Sequence, residues 1–151
     1  MIPFFRPNDS MLHLLAFVYM LACGNSLAAE AAEKGVISTP ILQGNADILG
    51  APIVYPAGEA EITAVMVTIP PGVETGWHSH LVPLFGQVVS GVLTVDYGSK
   101  GVRKLRPGDA LLEAVNWPHN GINYGDVPVE IFVIYVGAKG APNSVKHESG
   151  R

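Results

Sequence analysis

At 151 residues, with 48% hydrophobic and only 15% charged side chains, the chain has room for one domain with a sizeable core. A net charge of −4 and a single basic cluster (Lys100, Arg103, Lys104, Arg106) exclude a nucleic-acid surface, which needs a broader positive footprint. One cysteine, Cys23, excludes an internal disulfide framework.

The N-terminus reads as an export signal. Arg6 supplies a weak positive start, and Met11 to Cys23 is an apolar run of thirteen residues, short of the roughly 20 that span a bilayer. Ser26 and Ala28 are small residues placed for cleavage before Ala29. Residues 1–28 are therefore expected as a signal peptide directing the protein to the periplasm, and residues 29–36 as a mobile leader. Met20 to Gly24 loosely resembles a lipoprotein processing site at Cys23, with methionine and leucine as poor matches at its first two places. Ordinary cleavage leaves no thiol and no membrane span.

Ile37 to Leu42 is expected as a first strand, held to a sheet edge by Pro40. A loop punctuated by Gly50, Pro52 and Pro56 carries a short strand at Ile53–Tyr55. Glu61 to Ile69 is β-rich with poor alternation, as in a strand buried on both faces. Pro70-Pro71-Gly72 is a turn. Strands then follow at residues 82–90, 92–97, 102–105, 110–115, 119–123 and 127–136, separated by turns at Tyr97–Gly101 and Arg106–Asp109. Residues 37–137 are expected as the barrel domain and residues 138–151 as a flexible polar tail. No helical period of useful length occurs past Lys34. Short strands at close Gly/Pro spacing predict an all-β sandwich or barrel.

Chemistry concentrates in Gly72–His80. His78 and His80 are separated by one residue, so on an extended segment both rings share a face. His119, from another strand, would complete three nitrogen donors around a metal ion. His13 lies in the apolar N-terminal run and His147 in the polar tail, away from the three. No serine, lysine or cysteine is placed as a nucleophile and no carboxylates are paired for glycosidic chemistry, so any catalysis here needs the metal.

Two motifs give these histidines a context. One pattern is Gly, five residues, His, any, His, three or four residues, Glu, six residues, Gly; the chain supplies Gly72, His78, His80 and Gly91 at these counts, with Leu84 where the Glu belongs. The other is Gly, five residues, Pro, any, Gly, two residues, His, three residues, Asn; here Gly108, His119 and Asn123 keep the counts, while Ala114 and Asn116 replace the Pro and Gly. Over residues 62–136 the chain thus resembles a small single-domain cupin, a double-stranded β-helix or jelly-roll barrel. The resemblance implies a divalent metal on His78, His80 and His119 (Fe(II) first, with Mn, Ni or Zn as alternatives), a small-molecule ligand and a homodimer. It also implies either a dioxygenase acting on an oxygen-chelating organic substrate or a non-catalytic binding module.

With Leu84 in place of the carboxylate, three neutral imidazoles leave the full +2 charge and more open positions, favouring an anionic chelating ligand. Glu113, six residues before His119, is a candidate fourth ligand or neighbouring acid. Gln87 is a second candidate, although regular strand parity turns it away from the metal unless a bulge intervenes. Leu84 and Gly86 share the predicted inward face, and Gly86 either opens volume above the metal or marks a barrel bend. Trp77, Phe85, Trp117 and Asn123 complete the expected pocket lining, the aromatic residues alternatively sealing the barrel ends.

Overall fold

The structure, a computed structural model, describes residues 35–148. The expected signal peptide, Cys23, His13 and all but the end of the leader lie outside the described residues. Pro40 onward forms one compact unit.

Among the described residues nine strands build it: β1 (Ala60–Ile69), β2 (His78–His80), β3 (Leu84–Ser90), β4 (Leu93–Asp96), β5 (Val102–Leu105), β6 (Ala110–Leu112), β7 (Asn120–Ile122), β8 (Val129–Ala138) and β9 (Ser144–Lys146). They pair into a four-stranded sheet in the order β1-β8-β3-β6, a three-stranded sheet β5-β4-β7 and the two-stranded β2-β9, with every strand pair antiparallel. The fold is the all-β jelly roll expected, with a single 3-10 turn at Gly98–Lys100 as the only helical element among the described residues.

Alternation decides what the sheets enclose. Leu84, Gly86 and Val88 on β3 and Val129, Ile131 and Val133 on β8 point inward and are buried, while Phe85 and Gln87 face outward. With Ile69, Leu93, Val95, Tyr97 and Ala114, the inward-facing leucine, valines and isoleucine of β3 and β8 form the hydrophobic core. The β3–β8 ladder slips between Val88 and Ser90, a bulge that lies past Gln87 and leaves its outward parity intact.

Three expectations are corrected. Ile37–Leu42 and Ile53–Tyr55 are not strands; an isolated bridge between Ala46 and Pro52 stands in their region, organised by Asp47, whose Oδ1 accepts the Leu49 and Ala51 amides at 2.9 Å. Pro40, Pro52 and Pro56 lack the N–H a ladder needs. Strand β1 is not buried on both faces: Ile62 and Met66 are 59% and 54% exposed, alternating with half-buried Val65 and Val67. Finally, the tail contains β9, which pairs His78↔Lys146 and His80↔Ser144. Its three exposed residues carry no apolar alternation from which a strand is read.

The turns before and after the histidine segment use glycine differently. At Gly72 (φ 72°) the Val73 amide closes onto Pro70 O at 3.1 Å, and a Cβ there would meet open space. At Gly91 (φ 72°) a Cβ would sit 2.6 Å from Pro128 O and 2.9 Å from Val129 Cα. Gly72→Ala is thus expected to cost about 1–2 kcal/mol, the left-handed penalty alone. Gly91→Ala adds a backbone clash and lowers the urea midpoint markedly further; equal shifts for the two variants would refute the close approach at Gly91.

Candidate metal centre

The three histidines are brought together by backbone pairing. His78 N donates to His119 O at 3.0 Å and His119 N to His78 O at 2.8 Å, a reciprocal antiparallel pair whose side chains share a face. His80 follows by period two, and its carbonyl accepts the Asn116 amide at 2.8 Å across a parallel bridge to Val115. Ring centroids lie 4.5 Å (His78–His119), 5.0 Å (His78–His80) and 5.0 Å (His80–His119) apart.

Asn116, which stands where the second motif has glycine, adopts φ 56°. Asparagine tolerates this left-handed conformation far better than other non-glycine residues, so the turn into His119 survives the substitution. Asn116→Gly is expected to leave metal affinity nearly unchanged, whereas Asn116→Val should reduce both stability and affinity; calorimetric titration with Zn²⁺ and urea unfolding separate the two.

Each ring is oriented by a main-chain oxygen. Nδ1 of His78 donates to Gly76 O (2.8 Å), Nδ1 of His119 to Trp117 O (2.9 Å) and Nδ1 of His80 to Asn143 O (3.2 Å). A carbonyl only accepts, so every Nδ1 carries its proton and every Nε2 keeps a lone pair. Burial holds all three below the ordinary imidazole pKa, and in His80, aided by the neighbouring rings, down to about 3. The rings are therefore neutral near pH 7, the state a metal requires.

These residues fit a divalent cation. One ligand atom from each lies within 4.8 Å of the others, so none is more than about 2.8 Å from a common centre; modest ring rotation reaches the roughly 2.0–2.1 Å of a metal–imidazole bond. They open onto a cavity of about 80 Å³ whose remaining wall is largely aliphatic.

Leu84 and Gly86 line this cavity, and a Cβ on Gly86 would come within 3.1 Å of the Leu111 side chain. Glu113 lines it too, buried, with Oε2 4.0 Å from His119 Nε2 and Oε1 accepting from the Tyr97 hydroxyl and the Ala114 amide at 2.7 Å each. Burial raises the Glu113 carboxyl and Tyr97 hydroxyl pKa values, so the close approach to neutral His119 is not an ion pair.

Other expected site residues lie elsewhere. Gln87 points outward and donates to Gly108 O at 3.4 Å, so it is not a fourth ligand. Trp77 and Phe85 sit at the opposite strand parity from His78 and Leu84, outside the cavity lining. Trp117 turns its Nε1 to Tyr97 O at 2.9 Å. Asn123, fully buried, joins Ile69 O, Val127 O and the Gly125 amide. Thr75 and Tyr135, which the sequence reading passed over, do line the cavity. Thr75 shares the parity of Trp77 and reaches the cavity from the segment before β2, and Tyr135 depends on its pairing opposite Leu84; no local pattern discloses either.

The cupin domain family matches residues 65–135, the segment holding all three histidines. The chain carries a cupin domain. Solved structures agree on the fold of this cupin domain. A structure of the DMSP lyases RdDddP and RnDddQII is similar at 24% identity, covering 58% of this chain and 44% of that one, with a TM-score of 0.51. The DMSP lyase DddQ from Ruegeria pomeroyi DSS-3 matches at 23% identity over 64% of this chain and 46% of its own, again with a TM-score of 0.51. The matched region is thus less than half the length of either, and the likeness is one of fold. None of the curated proteins matches the chain.

The depressed histidines set a pH dependence for the metal-free cupin domain. Above the unfolded imidazole pKa of about 6.5 both states are neutral at His80 and its stabilisation is complete; as pH falls toward about 3 the unfolded chain gains a proton the native ring refuses, and stability is lost. Urea unfolding should show wild type losing stability relative to His80→Gln between about pH 6.5 and 4. A flat difference would show that His80 is not held neutral.

Proposed function

We infer that this chain is a metal-dependent oxidoreductase domain acting on a small organic molecule that chelates the cation through oxygen. Fe(II) is the favoured ion, with Mn, Ni or Zn as alternatives. The observation behind this reading is the convergence of three neutral Nε2 donors on a largely aliphatic cavity lined by no serine, lysine or cysteine. When bound, the cation supplies Lewis acidity and, as Fe(II), access to O₂ for a dioxygenase-type reaction.

The protein's own groups shape the rest. Leu84, where the family pattern has Glu, removes one anionic donor, and Glu113, whose amide donates to Leu84 O at 2.9 Å, brings a carboxyl group to the cavity from the neighbouring strand. Its Oε1 is fixed by Tyr97 and the Ala114 amide, leaving Oε2 facing the histidines. The Tyr135 ring beside His80 and the Thr75 hydroxyl bring further polar groups to the cavity wall, where an oxygen-bearing ligand would lie. The small volume of about 80 Å³ limits ligand size, which favours short oxygen chelators over large flavonoid-like molecules. In the second reading the protein captures such a ligand without turning it over, and the absence of a carboxylate at Leu84 is what favours it.

Metal stoichiometry, variant affinities and oxygen uptake test this. Untagged protein reconstituted with Fe(II), Mn, Ni or Zn should hold one ion per chain, and less than about 0.1 per chain for every ion would reject the site. Glu113→Gln should weaken binding about 10–100-fold, while Gln87→Ala leaves it unchanged. Oxygen uptake by the Fe(II) form with short diketones and hydroxy or keto acids supports the oxidoreductase. Tight binding of such a ligand without oxygen uptake selects the capture module instead.

A further inference from the structure

Two of the three histidines are oriented from within their own turns. His78 leans on Gly76 O and His119 on Trp117 O, each two residues away. His80 differs: its Nδ1 partner is Asn143 O, 63 residues along the chain. That carbonyl arrives on the C-terminal segment, where β9 lies along β2. The other side of β2 is already paired, through the His78–His119 and His80–Val115 bridges. The segment therefore closes the remaining edge of the strand that carries two metal ligands.

We propose that residues 143–147 form a positioning strap for His80, so that docking of the C-terminal segment and metal binding strengthen one another. This rests on the three-histidine site described above.

The strap lies at the surface. All three β9 residues are exposed, and hydrogen bonds hold the segment: His147 N to Trp77 O at 2.9 Å and Ser79 Oγ with His147 Nε2 at 2.9 Å. A segment with so little apolar burial opens more readily than the core strands. When it opens, His80 loses the acceptor that fixes its tautomer, and the ring is no longer committed to presenting Nε2. Loss of such a partner typically costs 10–100-fold in metal affinity. Linkage makes the effect reciprocal: a cation that prefers the docked strap must stabilise docking by the same factor. His147, outside the metal site, thereby acts on it through Ser79 and the β2 edge.

The test uses the intact chain first. In wild type, Zn²⁺ should slow hydrogen exchange at the His147 amide by about 10-fold or more, beyond any slowing in the core strands. The ring nitrogen shifts of metal-free wild type should show His80 protonated at Nδ1. His147→Ala and a chain ending at Gly140 should bind Zn²⁺ about 10–100-fold more weakly, with His80 alone showing mixed tautomers while His78 and His119 keep theirs. Unchanged affinity in both variants, or a His147 amide indifferent to Zn²⁺, would overturn the strap. Should the shortened chain not fold, His147→Ala and wild-type exchange still decide it. Failure of wild type itself to bind any cation would instead reject the metal site.

Discussion

The site depends on one backbone pairing, the reciprocal hydrogen bonds between His78 and His119. Because side chains at a directly opposed antiparallel pair project to the same face, this contact sets both rings over the cavity before any side-chain packing is considered. Period two then adds His80 without a further constraint. A slip of one residue would turn the rings to the opposite face, so the register is a condition of function and not only of stability. Asn116, at φ 56°, helps hold that register by entering the turn with its amide on His80 O.

Such a cluster is electrostatically demanding. Two buried imidazoles, the half-buried His78 ring and a buried carboxyl meet here, and burial disfavours each charged form. The arrangement is tolerable without a cation because every Nδ1 has a carbonyl and Glu113 has two donors, leaving only the inward-facing atoms without protein partners. Tyr97 is central to this balance. Its hydroxyl holds Glu113, while its carbonyl takes Trp117 Nε1, and Trp117 O in turn orients His119. The aromatic residue that sequence proximity suggested for the pocket wall therefore serves the site from behind it.

What the sequence disclosed follows the range of the interactions involved. His78 and His80 were legible because their relation is local parity, and His119 because motif counts locate it. Parity also separates Leu84 and Gly86, which line the cavity, from Phe85 and Gln87, which do not. Trp77 could have been excluded by the same argument; nearness in sequence to a ligand was a poorer guide than alternation. Tyr135 and Tyr97 were illegible, since their places follow from which strands pair and in what register. Strand β9 was hidden for another reason: an exposed Ser-Val-Lys segment has no apolar period, and its pairing derives from the open edge it covers.

The cavity is assembled from all three sheets. His78 and His80 come from the β2-β9 pair, His119 from the residue preceding β7, and Glu113 from the residue following β6 of the four-stranded sheet. No single sheet presents a binding surface, so in the unfolded chain the donors are scattered and a cation meets at most one local pair. Binding free energy at such a centre is largely folding free energy, growing as RT ln(1 + [L]/Kd) with free metal. A cation there would tie together the sheet edges that the apolar core, centred on Leu84, Val95 and Ile131, leaves joined only by short bridges. The β2–β9 edge, where Asn143 O meets His80 Nδ1, is where such a cation would couple most directly to the order of the C-terminal segment.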